Sequence, residues 1–125
     1  MTESWVIADD SPAPLPFEAV PEALRSRIAL GHLETWLTSS SGRSLAFVTN
    51  TERAMVVLLE GPDDPGEHAV TPDTEGTSDG FTLSNGQVDE YPDEDTVPIE
   101  EALRLVRHVV ETGTWPMDGR WVTDR

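Results

Sequence analysis

The chain alternates between short apolar runs and polar, proline- or glycine-marked breaks, and two periodicities share it. From Ile99 onward the period is helical: Ile99, Ala102, Leu103, Val106 and Val110 recur at i, i+3, i+4, i+7 and i+11 on one face. Pro98 suits the first turn, where its missing N–H is not needed, and Glu100 and Glu101 complement the helix dipole there. Gly113 and Pro116 mark the stop. A second helical pattern starts at Pro21 and is read through to Ser39, with Leu24, Ile28, Leu33, Trp36 and Leu37 on a broad face and Gly31 as a soft point. It is taken as one weakened helix or two short turns.

Elsewhere the pattern reads as strands. SLAFVTN and RAMVVLLE are rich in β-branched residues and joined by Asn50-Thr51-Glu52, a hairpin-length loop. The unbroken apolar run Ala54–Leu59 predicts a central strand buried on both faces. Asn85-Gly86 predicts a tight type I′ hairpin between FTLS and QVDEY. Glu67–Val70 and Arg120–Thr123 are candidate short strands, and Thr71–Gly80 reads as an exposed, mobile polar loop. Residues 1–20 hold a candidate edge strand at Trp5–Ala8, then a Pro-rich segment that is either laid over the surface or partly ordered. The sum is a single domain over 1–125 of α+β class: an antiparallel β-sheet of about five to six strands with two main helices packed on one face. Trp121 is expected in the core beneath the last helix, while Trp115 stays open.

Charge changes the picture. Twenty-four acidic residues against eight basic ones, all arginine, leave a net charge of −16. That argues against direct nucleic-acid binding and against an anionic membrane surface, both of which need Lys or Arg against phosphate. Basic partners, or solubility alone, are the remaining meanings. With no cysteine, disulfides and thiolate chemistry are excluded. The first ten residues lack a basic and apolar leader pattern, and no run approaches the length of a membrane helix, so a cytoplasmic protein is expected.

Candidate chemistry is sparse. His108 and Glu111 have an i, i+3 spacing that di-metal bundles use, but the other helices and the repeated motif are missing. His68, beside Glu67 and downstream of Asp63 and Asp64, suits solvation of a turn better than a cation. Asp89, Glu90, Asp93, Glu94 and Asp95 fail the EF-hand pattern, because Pro92 sits mid-loop and no glycine follows. There is no nucleophile elbow and no phosphate loop. An enzyme is not expected, nor a cofactor or metal. What remains is a binding surface, in which Asp89, Glu90, Tyr91, Asp93, Glu94, Asp95 and Trp115 combine carboxylates that steer a basic partner with aromatics that anchor it.

The segment SNGQVDEYPDEDTVPIEEALRLVRHVVETGTWPMDGRWVTDR resembles the C-terminal region of the Imm1 family of bacterial immunity proteins. The matching residues are Tyr91-Pro92, Thr96-Val97-Pro98, Glu101-Ala102-Leu103-Arg104, Thr112-Gly113, Pro116 and Trp121, and the upstream part from Leu33 looks like the actinobacterial branch of that family. The resemblance covers roughly Leu33 to Arg125. It implies an immunity protein of polymorphic toxin systems that binds and neutralises a cognate toxin domain, often a nucleic-acid deaminase. An acidic inhibitor could cover the basic substrate channel such an enzyme needs. The alternative is an acidic adaptor or regulatory module unrelated to toxins.

Overall fold

The computed structural model describes residues 3–8 and 13–124. In chain order the elements are β1 (Trp5–Ile7), a 3-10 turn (Phe17–Ala19), α1 (Val20–Ala29), β2 (Glu34–Ser39), β3 (Ser44–Thr49), β4 (Arg53–Leu59), β5 (Glu67–Ala69), β6 (Thr77–Thr82), β7 (Val88–Pro92), a 3-10 turn (Asp93–Asp95), β8 (Val97–Pro98), α2 (Ile99–Thr112) and β9 (Trp121–Thr123). Seven strands form one sheet in the order β1-β2-β3-β4-β5-β9, with β8 also paired to β4; β6 and β7 form a separate hairpin. All the pairings are antiparallel. The domain is α+β, as the pattern predicts.

Both helices cover one face of the large sheet. That face carries Leu37, Leu45, Phe47, Ala54, Val56 and Leu58, which join Val20 and Leu24 of α1 and Ala102, Leu103, Leu105, Val106, Val109 and Val110 of α2 in one buried cluster. The α2 stripe is broader than its predicted face, because Leu105 and Val109 are buried as well. Gly113 ends α2 in the left-handed region, φ 82°, where a side chain would be strained.

Four expectations change. The helix read over 21–39 stops at Ala29; Gly31 turns the chain at φ 86°, and Glu34–Ser39 becomes β2. Thr35 and Leu37 point into the core while Trp36 is 41% exposed, an alternation of period two. Leu33, Trp36 and Leu37 also fit i, i+3, i+4, so pattern could not arbitrate; pairing with β1 and β3 does. β4 is central but not buried on both faces: Ala54, Val56 and Leu58 are buried, and Met55, Val57 and Leu59 are half-buried. β3 is the strand enclosed on both sides, from Leu45 through Thr49. The Asn85-Gly86 hairpin is not type I′, since only Gly86 has positive φ (90°); Gly86 N–H donates to Leu83 O and Leu83 N–H to Gln87 O, a three-residue loop closed by a left-handed glycine. The stretch 71–80 is not all loop, because β6 begins at Thr77.

Residues 9–12, part of the predicted Pro-rich segment, lie outside the described residues. Trp5–Ile7 is an edge strand on β2, and Leu15 N–H donates to Trp5 O at 2.8 Å, laying residues 13–16 along it.

This N-terminal edge is locked by Arg43, whose Nε donates to Glu3 Oε2 at 2.9 Å and whose Nη1 donates to Gly113 O at 2.9 Å, at the carboxyl end of α2. The Arg43 hydrogen bond, joined by those of Ser41 and Ser39, outweighs burial and holds the Glu3 carboxyl at about 2 instead of 4.5. A depressed carboxyl pKa stabilises the fold above the unfolded value, and the contribution is lost as pH falls from about 4.5 through about 2. Glu3→Gln is therefore expected to cost about 2 kcal/mol in urea unfolding near neutral pH and to become nearly silent near pH 2. A pH-independent difference would mean that packing, not ionisation, carries the residue.

Candidate functional site

The acidic segment is displayed by a hairpin fastened to the sheet face opposite the helices. Phe81 on β6 is fully buried and meets Tyr91 of β7 edge-on, ring centroids 5.0 Å apart. One extra residue enters β6 between Ser78 and Phe81, a bulge accommodated by Gly80 at φ 84°. Ser84 N–H donates to Glu34 on β2 at 2.9 Å, which lowers that carboxyl's pKa, and Asn50 Nδ2 donates to Asp79 O at 2.9 Å. These contacts cover β3 on its second face.

The predicted binding residues separate into two groups. Asp89 and Asp93 are spent internally: Asp89 accepts from Gln87 Nε2 (2.6 Å) and Tyr91 OH (2.9 Å), and Asp93 from Ser78 Oγ (2.5 Å). Burial first, then the bond to Asp89, pushes the Tyr91 phenol up to about 12, so it stays a neutral donor. Glu90, Glu94 and Asp95 are the carboxylates presented outward, with Glu90 and Glu94 exposed and the Asp95 side chain 46% exposed.

Arg53 makes the turn rigid. From the start of β4 its Nε donates to Thr96 Oγ1 (2.7 Å), while Nη2 donates to Thr71 Oγ1 (3.2 Å), Asp93 O (3.1 Å) and Thr96 O (3.1 Å). Asp93 Oδ1 lies 3.8 Å from Nε. Thr96 is fully buried, and Thr71 N–H donates to Glu94 O at 2.8 Å. The acidic turn is thus tied to β4 and to the strand exit at Thr71.

His68 makes the second tie. Its Nδ1 is 2.7 Å from Asp124 and its Nε2 3.2 Å from Asp95. Burial pushes the imidazole pKa down, but the bonds to Asp124 and Asp95 prevail and raise it above 6.5. Asp63 and Asp64, the neighbours suggested by sequence, are not its partners; Asp64 instead accepts from Glu60 N–H. His108 is half-buried and Glu111 exposed on α2. Among the described residues no group of three or more His, Asp or Glu side chains is arranged to hold a metal ion.

The two C-terminal tryptophans exchange roles. Trp115 is 7% exposed, its indole N–H donating to Glu67 Oε1 at 3.2 Å, so the aromatic proposed for the surface lies inside. Trp121, expected in the core, is 39% exposed and stacks on it at 6.0 Å and 15°. The reason is topological: β9 pairs with β5 at the sheet edge, beyond the cover of α2.

Comparison of the chain with protein-family models and with curated proteins finds no match. Among the described residues no helix is long and apolar enough to cross a membrane. Sequence reasoning missed Arg53, His68 and Glu67 as organisers of this region. Arg53 carries no signal of its own, being one polar residue at the start of an apolar strand. Its acceptors are backbone and hydroxyl oxygens far along the chain.

Proposed function

We propose that this chain is an immunity protein that binds and neutralises a cognate bacterial toxin domain, a nucleic-acid deaminase, by covering its basic substrate channel with an acidic surface. The observation that supports it best is the presentation of Glu90 on β7 and of Glu94 and Asp95 on the adjoining turn, held by Arg53 and His68, in a chain of net charge −16. A deaminase must hold nucleic acid in a basic groove and bring one base to a zinc-bound water. Rigid carboxylates can occupy phosphate positions without a further ordering cost, and the field of the whole protein speeds encounter with a cationic surface. The resemblance of residues 33–125 to the Imm1 family supplies the toxin–immunity setting, and the charge supplies the mechanism. The long-range attraction falls with added salt.

The test begins with capture of the partner on the tagged protein and its identification by mass spectrometry. A basic toxin domain, whose toxicity co-expression of this chain suppresses, is the expected partner. Against that domain, Glu90→Lys and Glu94→Lys combined should slow association about ten-fold or more at low salt, with little change in fold because both side chains are exposed. Asp95 is left in place, since its carboxylate holds His68. An unchanged association rate removes this turn from the interface. A captured partner that is not toxic, or stays toxic in the presence of the chain, favours an adaptor role instead.

A further inference from the structure

At the β9 edge, on the helix side of the sheet, lies a cavity of about 330 Å³ lined by Arg43, Glu60, Glu67, Gly113, Trp115 and Trp121, among others. We propose that it receives an arginine side chain from a basic protein partner, a deepening of the binding role proposed above that rests on that reading for the partner's chemistry.

Three observations choose the occupant. The first is charge. The Arg43 guanidinium is committed to Glu3 and Gly113 O, with Glu60 at 3.7 Å, so among the described residues Glu3 and Glu60 set two carboxylates against that one cation. An anion would meet repulsion here, and an apolar group would strip water from the half-exposed Glu60 carboxylate without returning a hydrogen bond. The second is the helix end: α2 terminates at Gly113 on the cavity wall, and beyond the carbonyl that Arg43 already caps, the field of that carboxyl end still favours positive charge. The third is the stacked indole pair, whose outer member Trp121 is 39% exposed on an edge strand. Indole faces attract cations, and a planar guanidinium can stack on the ring while its edge donates to a carboxylate. Ammonium groups lack that planar fit, which is why arginine is preferred to lysine.

The cavity also explains how Glu67 is held. Its Oε1 accepts from the Trp115 indole and its Oε2 from Thr123 Oγ1 at 3.4 Å, so the carboxylate is positioned by the buried tryptophan and by β9 itself. Trp115 therefore acts on the site as a positioning residue, and Trp121 as the contact.

The experiment is an NMR titration of the whole chain with N-acetyl-arginine amide, read at the indole N–H resonances of Trp115 and Trp121. Saturable shifts with a Kd in the range of about 1 to 10 mM are expected for one side chain bound without its protein. The citrulline analogue, equal in shape but neutral, should bind at least about ten-fold more weakly, as should arginine amide to Trp121→Ala. Glu60→Gln, at a half-exposed position, is the variant least able to disturb folding and should weaken binding several-fold. Absence of shifts, or equal binding of citrulline, overturns the proposal. Because no toxin enters this assay, its failure leaves the immunity reading to its own test, and arginine binding without any captured toxin would uphold the cavity and not that reading.

Discussion

Arg53→Leu is expected to destabilise the protein by about 3 kcal/mol and to free the acidic turn from the sheet. The Arg53 side chain is 19% exposed, and its donors reach Thr71, Asp93 and Thr96, residues separated from it by 18 to 43 positions. Leucine preserves the stem but removes every guanidinium donor, so Thr96 O is left with Thr71 Oγ1 alone at 2.6 Å and Asp93 O with the Thr96 N–H and hydroxyl, and the ties from β4 to the turn are lost. A hydrogen bond from a charged donor is worth about 1.5 to 3 kcal/mol, and the loss of several is partly offset because their acceptors keep other donors. Arg53→Lys should restore less than half of the loss, because one ammonium cannot span acceptors arranged around a planar fork. The check is urea unfolding together with amide exchange at Thr71 and Asp93, whose N–H groups bond to Glu94 O and Gly76 O. Faster exchange at both sites, exceeding the global change, is the expected outcome. Unaltered exchange there would mean that the turn is held by the hairpin and not by Arg53.

Removing the Phe47 ring should cost more. Phe47 is 1% exposed at the middle of β3, registered between Thr35 of β2 and Val56 of β4 and facing the helices. Phe→Ala in such a position costs about 3 to 5 kcal/mol, through lost transfer energy and the cavity left behind. For a domain of this size that corresponds to a fall in Tm on the order of 15 °C. Trp36→Ala, one strand away, is the informative contrast. Although tryptophan is larger, Trp36 stands on the opposite face at 41% exposure, and its loss should cost less than about 1 kcal/mol. Were Trp36 on the buried face of a helix, as its spacing with Leu33 and Leu37 suggests, the two substitutions would be similarly damaging. Thermal unfolding of the pair decides between the two placements by energetics alone.

These residues also mark the limit of what pattern can convey. Helix α2 was legible from end to end, since its 3.6-residue stripe, its Glu100-Glu101 start and its Gly113 stop are local devices that agree with one another. The β3–β4 hairpin was legible for the same reason. Residues 33–39 were not, because a short apolar run satisfies helix and strand periods equally, and only pairing with β1 and β3 separates them. Hairpin β6–β7 was placed correctly by Asn85-Gly86, yet its turn type and bulge follow from how it must lie across the sheet.

The candidate site divides in the same way. The sequence by itself determined the charge, the acidic composition of 89–95 and the strand and helix that bound it, all properties of residue type and local period. Tertiary structure decided which carboxylates face outward, because that depends on donors distant in sequence: Ser78 and Arg53 engage Asp93, and Gln87 and Tyr91 engage Asp89, while Glu90 and Glu94 stay exposed. It also decided that Trp115 is inside and Trp121 at the edge, since burial belongs to the packing of α2 over the sheet and not to the side chain. Local propensity acts over one turn of helix or one strand; charge display and burial are set by contacts between residues tens of positions apart.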